Sequence, residues 1–233
     1  MAGQSTKAGR DCPRCPRLVA FRETWREREP TWFNAPVPSF GPLDARLLIV
    51  GLAPGLRGAN RTGRPFTGDY AGNLLYSTLK KFGFARGEFA GRPDDGLELL
   101  DARITNAVRC VPPENKPTTL EIATCRKILI PTIEEMSQLH AILALGRIAY
   151  ETVVRALGSK PSTAAFAHGT TVSIGAITLF ASYHCSRYNT NTGVLTPEMF
   201  HAVFAQVRAH LDHDSGSEPP SQSMKSGREH ATR

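Results

Sequence analysis

Short apolar runs alternate along this chain with longer stretches in which apolar residues recur every three or four positions. Leu47-Leu48-Ile49-Val50, the segment Arg103 to Cys110, and Ala141-Ile142-Leu143-Ala144-Leu145 have the length and composition of buried strands. Val172 to Ile174 and Ile177 to Tyr183 read as two more, on either side of Gly175-Ala176. Helical spacing predicts a helix from about Ala71 to Phe82 (Leu74, Leu75, Leu79, Phe82). It predicts another through Ile148, Ala149, Thr152, Val153, Ala156 and Leu157, and a last one from Pro197 with Phe200, Val203, Phe204, Val207 and Leu211 inside. Thr118 and Glu121 have capping-box spacing, so a helix starts there and runs to about Leu139, with Pro131 a kink or break. Near the N-terminus Leu18, Phe21 and Trp25 form a stripe with Arg17, Arg22 and Arg26 outside it, and residues 29–46 are Pro-rich and extended. Residues 84–102 and 185–193 read as loops. Strand alternating with helix predicts an α/β chain: a three-layer α/β/α sandwich on a mostly parallel sheet, one domain over residues 10–211. Residues 1–9 and 212–233 read as disordered tails.

The stretch from Gly51 to Gly72 breaks the pattern. It is a long polar loop with six glycines between a strand and a helix, and loops of that length inside a domain are usually functional or disordered. Backbone N–H groups in glycine turns and at helix starts favour negative charge. Arg57, Arg61 and Arg64 add cations around a lone acid, Asp69. Neither GxxxxGK[ST] nor GxGxxG occurs, so the usual nucleotide motifs are absent. In an open parallel sheet the loops 51–70, 111–117 and 184–193 share the carboxyl edge, where ligands bind. Asp69, Asn106, Asn115, His184 and Asn189 can then converge there.

Composition narrows the partners. Among 233 residues 28 Lys and Arg outweigh 21 Asp and Glu, a net charge of +7 that suits an anionic partner. No apolar run approaches 18 residues and the first thirty residues carry six arginines without an apolar core, so neither a membrane span nor a secretory signal is expected, and the chain reads as cytoplasmic. Five cysteines in such a chain suggest metal or catalysis rather than disulfides. Cys12 and Cys15 form a CxxC pair that, with Cys110 and Cys125, offers four thiolates, a set that zinc and a [4Fe–4S] cluster both accept. Cys185 stands apart.

Three motifs carry a resemblance. They are Gly51-Leu52-Ala53-Pro54 with Asn60-Arg61-Thr62-Gly63-Arg64 and Phe66-Thr67-Gly68-Asp69, then Arg109-Cys110-Val111-Pro112-Pro113-Glu114-Asn115-Lys116-Pro117, then His184 with Asn191-Thr192-Gly193. From about Cys12 to Leu211 the chain resembles the iron–sulfur uracil-DNA glycosylases, and Leu52, where the family 4 branch carries an acid, points to family 5. Cys185 departs from the proline usual after that histidine. The resemblance implies hydrolysis of the N-glycosidic bond of uracil, or also hypoxanthine or xanthine, in DNA during base excision repair, by a monomer holding a structural [4Fe–4S] cluster on Cys12, Cys15, Cys110 and Cys125. A lesion pairs poorly, so everting it from the stack costs less. Gly51 and Phe66 would then bind the everted base, Phe66 by stacking, and Asn106 or Asn115 would read its amide edge. Asp69 would stabilise the cationic sugar and orient water, while His184 donates to the departing base. Arg61, Arg64, Arg187 and Tyr188 would contact DNA, the last two as a wedge. The alternative on charge and aromatics alone is a non-catalytic binder of damaged or single-stranded DNA.

Overall fold

A computed structural model describes residues 8–68 and 70–214, with the backbone alone at 214. Among the described residues seven strands and seven α-helices follow in the order α1 (Pro16–Arg28), β1 (Leu47–Gly51), α2 (Ala59–Thr62), α3 (Tyr70–Lys81), β2 (Ala85–Arg86), β3 (Glu98–Leu99), β4 (Ala102–Asn106), α4 (Thr119–Glu134), β5 (Ala141–Leu145), α5 (Arg147–Ala156), β6 (Thr171–Ile174), β7 (Ile177–Ser182), α6 (Arg187–Asn191) and α7 (Pro197–Asp214). The central sheet has the order β4-β1-β5-β7-β6, parallel throughout except for the edge strand β6, which returns antiparallel to β7. Every residue of β1 and β5 is buried, as strands covered on both faces must be.

Alternate side chains of β1 and β5 enter opposite cores. Leu47, Ile49, Leu143 and Leu145 pack with Leu75 and Leu79 of α3 and Phe200, Phe204 and Val207 of α7. Leu48, Val50, Ile142 and Ala144 pack with Leu129 of α4 and Tyr150, Val153 and Val154 of α5. These are the three layers that the alternation of strand and helix implies. The Pro-rich strap of residues 29–46 runs along the free side of β4. There Phe40 exchanges two backbone hydrogen bonds with Ile104, and the Val37 N–H donates to the Arg109 carbonyl at 2.8 Å.

Several boundaries differ from the sequence reading. The fourth helix begins as expected: the Thr118 hydroxyl accepts from the Glu121 N–H and the Glu121 carboxylate accepts from the Thr118 N–H. It ends at Glu134 rather than Leu139, and Pro131 sits inside it, without the N–H that would reach the Lys127 carbonyl. Ladder pairing of β4 stops at Asn106, although the Ala107 and Val108 N–H groups still donate to the Gly51 and Leu52 carbonyls. Residues 84–102 contain the small β2–β3 pair, and residues 187–191 form a helix because Ser186 caps it, its hydroxyl accepting from the Asn189 N–H. Residues 8 and 9 are placed, and 212–214 complete α7. The rest of both expected tails lies outside the described residues. Among the described residues no helix is long and apolar enough to cross a membrane.

Candidate active site

The carboxyl ends of β1 and β4 are in register, with Gly51 opposite Asn106. A Cβ at Gly51 would stand 2.6 Å from Asn106 Oδ1 and 2.7 Å from Phe66 Cζ, so only a glycine there lets the amide and the ring meet over the strand end. Asn106 is 4% exposed. Phe66 adopts φ 55°, a left-handed conformation that non-glycine residues rarely hold without support. The support is dense. The Thr67 hydroxyl donates to the Arg64 carbonyl at 2.8 Å and meets the Thr62 hydroxyl, while the Tyr76 hydroxyl donates to the Pro65 carbonyl at 2.7 Å. Helix α3 also passes so close that a Cβ at Gly72 would collide with the Phe66 carbonyl at 2.0 Å.

Phe66 faces His184, which follows β7, with ring centroids 5.9 Å apart and planes 25° from parallel. These two rings, Pro54, Asn106 and Asn115 line one cavity of about 310 Å³, within the range of small-molecule sites. Asn115 comes from the loop 111–117, on a single 3-10 turn where Glu114 and Asn115 both have positive φ (55° and 58°). His184 is half-buried, and its carbonyl accepts from Asn189 Nδ2 at 2.8 Å, which ties it to α6. Cys185, where the resemblance expects proline, is buried in the core with its thiol 3.5 Å from the Ala71 carbonyl. The cavity therefore offers one apolar aromatic face, two amides able to donate and accept, and an imidazole stacked opposite that face. That set suits a planar heterocycle with amide edges.

Other expected residues fall differently. Asp69 lies outside the described residues. Arg61 is exposed on α2, Arg187 is exposed on α6, and Tyr188 beside it projects with 74% of its surface exposed. Arg64 is the correction: it is not at the surface to meet a phosphate. Its guanidinium makes two bonds to Asp95, at 2.8 and 2.7 Å, and lies over the rings of Phe40, Tyr76 and Phe89. Arg22, expected on the outer face of α1, is also buried, reaching the Cys12 carbonyl at 3.3 Å. One supporting residue carries no sequence signal. His168 stacks on Tyr183 (5.0 Å) and its Nδ1 accepts the Tyr183 N–H at 3.1 Å, bracing the strand end before His184, with burial lowering its pKa.

A second cavity lies where α1, α4 and the end of β4 meet. Cys12, Cys15, Cys110 and Cys125 all line it, among Leu18, Val108 and Ile128. Burial pushes the Cys15 thiol up to about 11 and the Cys110 thiol up to about 12, and the neighbouring thiols add to both shifts. Burial raises Cys125 too, partly opposed by the Arg109 N–H, which donates to its sulfur at 3.3 Å. Thiols in such a pocket stay protonated until a metal displaces the protons. Among the described residues no three Cys, His, Asp or Glu side chains close round a point as a single metal ion would require. Four thiols lining one cavity are a donor set that zinc and an iron–sulfur cluster both accept.

Comparison with known proteins agrees with this geometry. The sequence model of the uracil DNA glycosylase superfamily matches residues 38–208. The chain is 44% identical over 204 residues to a type-5 uracil-DNA glycosylase of Thermus thermophilus, covering 84% of this chain and 92% of that one. It is 41% identical over 203 residues to a type-5 uracil-DNA glycosylase of Pyrobaculum aerophilum, covering 85% and 88%. A type-4 uracil-DNA glycosylase of the same organism is 33% identical over 152 residues, covering 65% and 63%.

Proposed function

We propose that this chain, which belongs to the uracil DNA glycosylase superfamily and within it to the type-5 enzymes, excises uracil from DNA by hydrolysing the bond between base and deoxyribose. The observation that carries the reading is the cavity where Phe66, Asn106, Asn115 and His184 come together over Gly51 at the carboxyl edge of the sheet. An everted base would stack on Phe66, with Asn106 beneath donating and accepting along its amide edge. As the bond breaks, negative charge grows on the base and positive charge on the sugar. His184 and Asn115 supply donors toward the base. Asp69 is assigned to the sugar and the attacking water because it is the lone acid of the first loop. A cavity of about 310 Å³ leaves room for hypoxanthine or xanthine as further substrates. Arg61, Arg187 and Tyr188 are assigned to the DNA, the protruding tyrosine as the wedge. The enzyme is read as a cytoplasmic monomer.

Cys12, Cys15, Cys110 and Cys125 are assigned as ligands of a [4Fe–4S] cluster, supported by their sharing one apolar cavity. Bound there, the cluster would cross-link α1, α4 and the end of β4. The test of the whole reading is excision from uracil-containing duplex by native, Asp69→Asn and His184→Ala protein. Native protein should leave alkali-labile abasic sites. Asp69→Asn should lose roughly 10²–10⁴-fold in single-turnover rate while still binding the duplex. Undiminished cleavage by Asp69→Asn would remove the acid from the mechanism, and a native chain that binds the lesion without cleaving it would leave only a damage-binding protein.

A further inference from the structure

Two arginines at the thiol cavity are buried with no buried acid to meet them. Arg22 is 3% exposed. Its Nη1 lies 3.3 Å from the Cys12 carbonyl and 4.0 Å from Cys110 Sγ, and its Nε has no hydrogen-bond partner. The carboxylate nearest it among the described ion pairs is Glu23, at 3.6 Å on a half-exposed side chain. Arg109 is 6% exposed. Its backbone N–H donates to Cys125 Sγ, and its guanidinium is held by neutral groups, the Val37 carbonyl and the Thr132 hydroxyl. Its Nε is also without a partner, and no ion pair reaches it among the described residues.

Guanidinium groups stay protonated in proteins. A buried cation is retained at a cost unless opposite charge faces it. The apolar walls here, Leu18, Val108 and Ile128, supply none. The cysteines can. Four thiolates round a core of charge about +2 carry roughly −2 in total, whether the core is zinc or an oxidised [4Fe–4S] cluster. The Arg22 guanidinium lies 4.0 Å from Cys110 Sγ; Arg109 lines the same cavity and meets Cys125 Sγ through its backbone N–H, while its buried guanidinium is held beside it by Val37 and Thr132.

We infer that Arg22 and Arg109 are the counter-cations of the metal–thiolate centre, positioning residues that neutralise it inside an apolar enclosure and hold it against loss. This rests on reading the four cysteines as its ligands. The two charges are not interchangeable in effect. Arg22 meets the Cys12 carbonyl and Cys110 Sγ, so it acts on the side of those two cysteines. Arg109 is locked between Val37 and Thr132 and acts on the side of Cys125.

The experiment compares full-length native protein with Arg22→Gln, Arg22→Lys, Arg109→Gln and Arg109→Lys, purified without oxygen. The readouts are metal per chain, visible absorbance, rate of metal loss to excess chelator, and midpoint potential where iron is bound. The Gln proteins should lose metal about 10–100-fold faster than native. Their midpoint potential should move negative, because a centre with less positive surroundings accepts an electron less readily, while the Lys proteins stay close to native in both respects. Should a Gln protein not fold, Leu, which the surrounding walls accept, takes its place in the comparison. Native rates and potential in the neutral variants overturn the counter-cation role. Lys proteins as labile as Gln ones overturn it as well, since charge would then not be what matters. A native chain that holds neither iron nor zinc overturns the ligand assignment itself.

Discussion

Replacing Arg64 by Met is expected to destabilise the fold by about 3–5 kcal/mol. The magnitude follows from what the guanidinium leaves behind. Arg64 and Asp95 have side chains 4% and 1% exposed and share two hydrogen bonds. Without the arginine, the Asp95 carboxylate keeps only the Ala90 and Leu97 N–H groups, at 2.9 and 3.1 Å, against a buried negative charge. Methionine restores part of the packing under Phe40, Tyr76 and Phe89 but not the attraction of a cation to their faces. For a domain of this size the loss corresponds to a fall in Tm of about 6–20 °C. Asp95→Asn should cost a similar amount, and the double variant should be less damaged than the sum of the two by about 2–3 kcal/mol. Urea unfolding of the three variants measures this. Asp95 has its folded pKa lowered, first by the Arg64 bond and then by the backbone donors. Its contribution is therefore present above the unfolded carboxyl value of about 3.9, and is lost as pH falls through the lower folded value. The gap between native and Arg64→Met should be constant from pH 7 to about 5 and close only in stronger acid. An Arg64→Met protein within 1 kcal/mol of native at pH 7, or strictly additive single variants, would refute the reasoning.

Three further outcomes are expected. Gly51→Ala puts a methyl group into the Asn106 amide and the Phe66 ring, so excision should fall by about 10²-fold with the circular dichroism spectrum unchanged; native activity would mean that ring and amide can yield. Thr118→Ala removes the hydroxyl half of the cap on α4, leaving the Thr118 N–H to Glu121 bond, and should cost about 0.5–2 kcal/mol in urea unfolding without altering the single-turnover rate on uracil. Tyr188→Ala should weaken binding to lesion duplex about tenfold in a titration and leave the cleavage rate of the bound complex far less affected; the reverse split would move Tyr188 from the DNA surface into the chemistry.

The parallel sheet, its flanking helices and the Thr118 cap were legible because each depends on residues a few positions apart. Asn106, Asn115 and His184 are legible as neighbours because strand ends share one edge, whatever the side chains do, while Gly51 and Phe66 enter through the resemblance. The place of Arg64 is hidden for the same reason in reverse: whether an arginine is a surface cation or a buried one depends here on Asp95, 31 positions away, and on rings from three segments. Arg22 was counted with the outer face of α1 because helical spacing registers only apolar residues as inward. Its burial answers to Cys12 and Cys110, which periodicity does not see. The left-handed turns at Phe66, Glu114 and Asn115 lack the glycine that would have announced them, and are set by contacts with other elements. Strands of two residues, as in β2 and β3, are too short to show alternation at all.

A sheet with a bare rim invites a foreign strand to dock on it. Here the rim at β4 is taken by the strap, whose two contacts at Val37 and Phe40 are separated by Pro38 and flanked by Pro36 and Pro42. Proline has no N–H to offer a newcomer, so the strap satisfies β4 without presenting a continuous ladder of its own. The opposite rim, β6, is four residues long and ends at the turn into β7. Growth into swapped or fibrillar assemblies through strand addition is thus discouraged at both flanks, and the chain can accumulate on a long polyanion without its molecules knitting into one another.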